Sequence, residues 1–162
     1  MTIELDHIIR LSLTDFIEDI RQQPWRGKER EAISYYAFGH LVRYCRSRSI
    51  LHDPSQIGIE VRVPKPARLG KKVAICKDLV IWPEPGMTCW NAAGETNNYP
   101  LAILEWKAKQ MSAYDVDWLC ALSADNAQFI GYAVCLDLRQ HDYRLSCTRV
   151  QNQDVQESWL MI

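Results

Sequence analysis

Paired cysteines are missing from this sequence of 162 residues. Its six cysteines include no CxxC pair, which is the spacing that most structural zinc sites use. Several of them lie inside strongly apolar segments. We therefore expect small core residues in a reducing cytoplasm, rather than disulfides or a zinc site. The six are Cys45, Cys76, Cys89, Cys120, Cys135 and Cys147.

Long apolar runs are also missing. Charged residues interrupt every apolar segment before the ~20 residues that a membrane helix needs. The first residues, MTIELDHIIR, include acidic side chains and no long apolar stretch, which argues against a secretory signal. We expect a cytoplasmic protein without a membrane partner.

Three common enzyme motifs do not occur either. Without GxGxxG, GxxxxGK[ST] or GxSxG, a small-molecule α/β enzyme has little support. The formal net charge of −1 neither demands nor excludes a nucleic-acid partner. Affinity for DNA comes from local basic patches, which a global charge hides.

The residues that are present indicate one folded domain over 1–162, because 48% are hydrophobic and 24% are charged. Apolar residues at helical spacing predict a first helix over 3–22, within an N-terminal extension of residues 1–26. A second helix is predicted over 27–50, with a stripe that includes Tyr35 and Phe38.

Five segments read as strands by their β-branched and apolar content. A third helix over 111–124, with Met111, Tyr114, Trp118 and Leu122 on one side, separates the third strand from the fourth. The order predicts an α/β or α+β domain with a central mixed sheet flanked by helices. We leave the polar tail after Gln151 unassigned. The predicted strands are 56–63, 72–82, 99–107, 128–138 and 142–150.

Three charged residues interrupt apolar strands. Glu105 and Lys107 are two apart in AILEWK, so both side chains point to one face of the sheet. Asp78 interrupts KVAICKDLVIW in the same way. Buried charges cost several kcal/mol unless they are paired or bind a metal. If the two strands are neighbours, Mg²⁺ between the two carboxylates would offset their repulsion.

A glutamate on the second helix is a further candidate. Glu31 lies on the apolar stripe of Tyr35 and Phe38, so we expect it to point toward the edge of the core. Glu29 lies on a more mixed face. We favour Glu31 and leave Glu29 as the alternative.

An aspartate in KDLVIW, followed by E-x-K in LEWK and then a helix, resembles the PD-(D/E)XK nuclease superfamily. Lys77 stands where the motif often has proline. The family core, αβββαβ as in restriction endonucleases, corresponds to residues 27–138, with residues 139–162 as a C-terminal strand and tail. The resemblance thus implies a restriction-endonuclease-like core with an extra N-terminal helix.

The resemblance also implies an activity. Asp78 and Glu105, with Glu31 from the helix, would hold Mg²⁺, for which Mn²⁺ can substitute. Lys107 would orient or activate the attacking water, and the substrate would be a DNA phosphodiester bond. The alternative is a nuclease-like module that binds nucleic acid or protein without cleavage.

Basic residues near the predicted strands are candidates for phosphate contacts. Trp90, in the long loop 83–98, is a candidate substrate contact. Small nucleases of this kind often dimerise, and the apolar first helix would either form that interface or cover the sheet. The basic candidates are Lys65, Arg68, Lys71, Lys72 and Lys109.

Overall fold

A computed structural model describes residues 2–23, 28–66, 69, 73–138 and 142–162. Three helices, α1 (Thr2–Gln22), α2 (Glu29–Tyr35) and α3 (Ala113–Asp125), accompany a six-stranded sheet. The α+β class with an N-terminal helix is therefore confirmed. The strands are β1 (Ile57–Pro64), β2 (Ala74–Ile81), β3 (Ala102–Lys107), β4 (Ile130–Asp137), β5 (Arg144–Gln151) and β6 (Asp154–Met161).

The strands lie side by side in the order of the chain, and only β3 and β4 run parallel. Helix α3 connects those two strands, as a parallel pair requires a crossover. Gly131 in β4 allows the helix to approach closely, because a Cβ there would lie 2.9 Å from the Cβ of Leu119. Helix α3 is thereby held against the centre of the sheet.

The two faces of the sheet carry separate cores. Helix α1 covers one face with a fully buried stripe that includes Leu5, Leu13 and Phe16, together with α2. Helix α3 covers the other face through Trp118 and Leu119. The apolar stripe of α1 is thus used to cover the sheet. No helix in the described ranges is long and apolar enough to cross a membrane.

Two predictions about the helices were wrong. The second helix does not reach residue 50: after α2 the chain continues through a π-helical turn, Tyr36–His40, and a 3-10 turn, Leu41–Tyr44. Arg48 then adopts a positive φ of 72°, which a helix does not accommodate. In α3, Tyr114 is 60% exposed, because Asp115 takes the inward position one turn before Trp118.

Strand β6 is the element that remained unassigned. It pairs with β5 across a two-residue turn, Asn152 and Gln153, whose φ angles of 50° and 64° match a type I′ hairpin. Its first five residues are exposed, so it lacks the apolar alternation by which strands are found.

Burial was also overestimated for the cysteines: Cys76 is exposed, whereas Cys89 and Cys147 are buried.

Strands β1 and β2 change face in the middle. Ile57 and Ile59 pack with the α1 core, whereas Val61 and Val63 pack with the α3 core, although all four are odd-numbered. The alternation of β1 side chains between the two faces of the sheet therefore shifts by one position between residues 59 and 61. Glu60, at that point, has a positive φ of 51°. The regular pairing of β1 with β2 omits Glu60 and the residue opposite it, Asp78.

The strained φ of Glu60 gives a stability prediction. Glycine adopts positive φ without steric cost, so Glu60→Gly should leave the free energy of unfolding within about 1 kcal/mol of the wild type. The β-branched Glu60→Val should lower it by about 1–3 kcal/mol. Urea denaturation measures both. Equal stability of the two variants would show that the backbone at residue 60 is not strained.

Candidate active site

The pairing of β2 with β3 ends where the candidate aspartate lies. Backbone pairs run only from Leu79–Leu104 to Ile81–Ala102. Beyond them the Trp106 N–H donates to Oδ2 of Asp78 at 2.9 Å, so a side chain bridges the two strands. The carboxylate of Asp78 is thereby held within one residue of Glu105.

Glu105 points to the α3 face and is 4% exposed. Oε1 of Glu105 lies 2.7 Å from Nζ of Lys77. The pair forms a close ionic contact outside regular hydrogen-bond geometry, and no other described residue donates to that oxygen. Removing one partner of such a buried pair typically costs about 3–5 kcal/mol.

Burial also controls the ionisation of Glu105. Desolvation raises the pKa of its carboxyl to about 7, even though the Lys77 ammonium acts to lower it. The carboxylates of Asp78 and Asp115 also act to raise this pKa, so negative charge from both lies near Glu105. Such an environment favours a bound cation.

Lys107 lies on the same face as Glu105, as the i, i+2 spacing predicted. Its Nζ is 3.5 Å from Oδ2 of Asp115 in the first turn of α3. Partial burial lowers the pKa of Lys107, but the four carboxylates around it outweigh burial, so that its pKa is raised. The lysine is therefore held in its charged form. These carboxylates belong to Asp115, Asp78, Glu29 and Glu105.

The preference for Glu31 over Glu29 is not supported by their positions. Glu31 is exposed, and its Oε2 accepts a hydrogen bond of 2.7 Å from the N–H of Lys28 at the start of its own helix. Glu29 is half-buried, and its Oε2 accepts from the Ala108 N–H at 2.9 Å, directly after Lys107. We expected Glu31 at the edge of the core because of its place on the helical stripe. Because α2 begins at Glu29, the side chain of Glu31 instead caps the first turn through the Lys28 N–H.

The remaining candidates lie farther out. Lys109 is exposed and, with Arg144 and Asp137, lines a cavity of about 500 Å³. Lys65 is half-buried at the end of β1. Arg68, Lys71 and Lys72 lie outside the described residues.

Trp90 is 39% exposed on a loop that is held by hydrogen bonds. The side-chain amide of Asn98 donates to the carbonyl oxygens of both Thr88 and Trp90, at 3.0 and 2.9 Å. With Arg62 and Trp82, Trp90 lines a cavity of about 200 Å³. The loop backbone at Trp90 is thus held by hydrogen bonds, while its indole stays accessible to solvent.

Two residues of the candidate site, Asp115 and Lys77, were missed from the sequence. Asp115 carried a usable signal, since it lies on the same helical stripe as Trp118. Lys77 carried no such signal, because regular alternation along β2 would place its side chain with that of Leu79 on the α1 face. The slip at Glu60 brings it to the α3 face instead, where its Nζ lies 3.7 Å from the centroid of the Trp118 ring.

The chain matches no protein-family model, no curated protein and no solved structure at a significant level. The fold class and the geometry described above therefore carry the functional argument, and membership of the PD-(D/E)XK superfamily stays a prediction.

The different contacts of Glu29 and Glu31 predict different effects on amide exchange. Glu29→Ala should speed hydrogen exchange of the Ala108 N–H about fivefold, as expected for a partly exposed hydrogen bond worth about 1 kcal/mol. Glu31→Ala, the matched control, should leave Ala108 unchanged and affect Lys28. NMR exchange rates measure both. The placement of Glu29 would be wrong if Ala108 responded equally in the two variants.

Proposed function

We propose that this chain is a Mg²⁺-dependent nuclease that hydrolyses phosphodiester bonds of DNA. The observation that supports it most directly is the joining of Asp78 to the E-x-K strand. Its Oδ2 binds the N–H of Trp106, which stands between Glu105 and Lys107. A carboxylate from each of two neighbouring strands and a charged lysine thus meet at one end of the sheet.

The donor chemistry of this site fits Mg²⁺. Asp78 and Glu105 supply hard oxygen ligands, and Oε1 of the buried Glu105 already lies against a cation, the ammonium of Lys77. Those residues contain no group of three His, Cys, Asp or Glu that could enclose a metal. Mg²⁺ does not require one, because it commonly uses one or two protein carboxylates, water and substrate phosphates.

Each residue would have a distinct task in the reaction. Asp78 and Glu105 would hold the metal ion, which when bound lowers the pKa of a coordinated water and offsets phosphate charge. Lys107 would hold the attacking water through its ammonium and offset charge that develops on the phosphate. Asp115 would keep Lys107 charged and in place. Glu29 would fix the chain that follows Lys107, and Glu31 would have no part in the chemistry.

The cleavage proposal predicts a loss of activity in single variants. With Mg²⁺ or Mn²⁺ present, Asp78→Asn and Lys107→Met should each lower DNA cleavage by at least about 100-fold. The exposed Asp117→Asn on α3 is the control and should cleave normally. Plasmid, linear and single-stranded DNA are the substrates. Activity that persists in both site variants would come from a contaminant and would refute the assignment.

A binding module without cleavage is the second candidate, and one contact favours it. The Lys77 ammonium already neutralises Glu105, so the charges are compensated without metal. A thermal melt separates the two candidates. A ligand that binds only the folded state raises the melting temperature, so a nuclease should be stabilised by Mg²⁺ or Mn²⁺. A binding-only module should bind DNA with no response to either ion.

The exposed indole of Trp90, on a loop whose backbone is held by hydrogen bonds, predicts a contact with unpaired bases. Stacking on an aromatic side chain is worth about 1–3 kcal/mol per base, so Trp90→Ala should weaken binding of single-stranded DNA by about 5- to 150-fold. Fluorescence anisotropy in an Asp78→Asn background, which prevents cleavage, measures the affinity. The exposed Tyr114→Ala is the control. An equal loss of DNA affinity in both variants would show that Trp90 makes no specific contact with the bases.

Assembly and location remain predictions. A homodimer would have to use a surface other than the apolar stripe of α1, which packs on the sheet. DNA contacts of Lys65 and Lys109, and the cytoplasmic location, rest on the sequence.

A further inference from the structure

Lys77 is a lysine whose charged end is enclosed. The residue is 6% exposed, although it neighbours the half-buried Asp78 and the exposed Cys76. Its ammonium lies between Oε1 of Glu105, at 2.7 Å, and the face of the Trp118 ring, at 3.7 Å. A carboxylate and an aromatic face both favour a cation between them.

We propose that the ammonium of Lys77 occupies the cation position beside Glu105, and that a divalent metal ion binds Glu105 only by displacing it. The inference rests on the proposed metal site and adds a competitor that belongs to the chain itself. Lys77 would then set the metal concentration at which the site fills.

The two cations would compete for one carboxylate. Mg²⁺ binds a carboxylate oxygen at about 2.0–2.1 Å and keeps an octahedral shell. The ammonium lies 2.7 Å from Oε1, the same carboxylate that a metal would use. Two cations on one buried carboxylate would repel each other strongly in a region of low dielectric constant. Binding of the metal ion therefore favours departure of the ammonium.

The displaced side chain has space to move into. Lys77 and Asp78 line a cavity of about 300 Å³, together with Arg30, Cys76 and Glu60. Lysine has a flexible four-carbon stem, so we expect its ammonium to move toward this cavity while its backbone stays in β2. Glu60, which is 3.1 Å from Arg30, offers a second carboxylate at this position.

Lys107 provides a matched comparison. It is also a lysine of the same site, but its ammonium pairs with Asp115 at 3.5 Å, and its side chain is 33% exposed. Replacing either lysine with methionine removes one positive charge near the carboxylates. A general electrostatic effect would therefore be similar in both variants, whereas direct competition at Glu105 should appear only for Lys77.

The experiment is Mn²⁺ and Mg²⁺ binding, measured by calorimetry and by Mn²⁺ electron paramagnetic resonance, without DNA. Lys77→Met should lower the dissociation constant by at least about tenfold, and Lys107→Met by less than about threefold. The double variant Lys77→Met/Glu105→Gln should lose the gain. It also removes the uncompensated buried carboxylate, so it is expected to fold if Lys77→Met alone does not.

The outcomes separate this inference from the proposed function. Equal affinities in wild type and Lys77→Met, or equal gains in both methionine variants, would overturn the competition but leave the metal site. No binding by any of these proteins would overturn both.

The wild-type protein gives an independent readout. Saturating Mg²⁺ should shift the ¹⁵Nζ resonance of Lys77, assigned with Lys77→Arg, toward that of a solvent-exposed lysine. A resonance that stays unchanged while the metal binds would contradict displacement.

Discussion

The buried carboxylate of Glu105 is the constraint on which this end of the sheet depends. A charge that is 4% exposed must be compensated, and burial is the main reason that its pKa is raised to about 7. Lys77 provides the compensation from β2, and Trp118 supports Lys77 from α3. The ammonium of Lys77 thus links β2 to β3 through Glu105 and to α3 through Trp118.

That compensation is made available by an irregularity in the sheet. The positive φ of Glu60 interrupts the alternation of β1, and the regular pairing of β1 with β2 skips the position of Asp78. Asp78 then bonds to the backbone of β3, and Lys77 turns toward α3. Backbone strain of this kind clusters at functional sites, and it persists only where the surrounding structure holds it in place.

The same charges suit two roles. Two carboxylates and a lysine at the end of neighbouring strands fit metal-dependent hydrolysis, and an internal ammonium beside one carboxylate fits a site that is closed until a metal displaces it. Both roles use the low exposure of Glu105, which strengthens its interaction with any cation. The lysine that neutralises the site without metal is therefore also the group that would regulate its filling.

The sequence by itself determined the α+β class, most of the strands and the shared face of Glu105 and Lys107, because these depend on local periodicity and on spacing along one strand. It did not locate β6, whose exposed first residues lack apolar alternation, and it extended α2 too far, since the apolar spacing continues through the π-helical and 3-10 turns. Only the tertiary structure decided that Glu29 and not Glu31 approaches Lys107, and that Lys77 and Asp115 belong to the site. Those positions depend on where a helix begins and on a slipped register at Glu60, which contacts between distant segments fix.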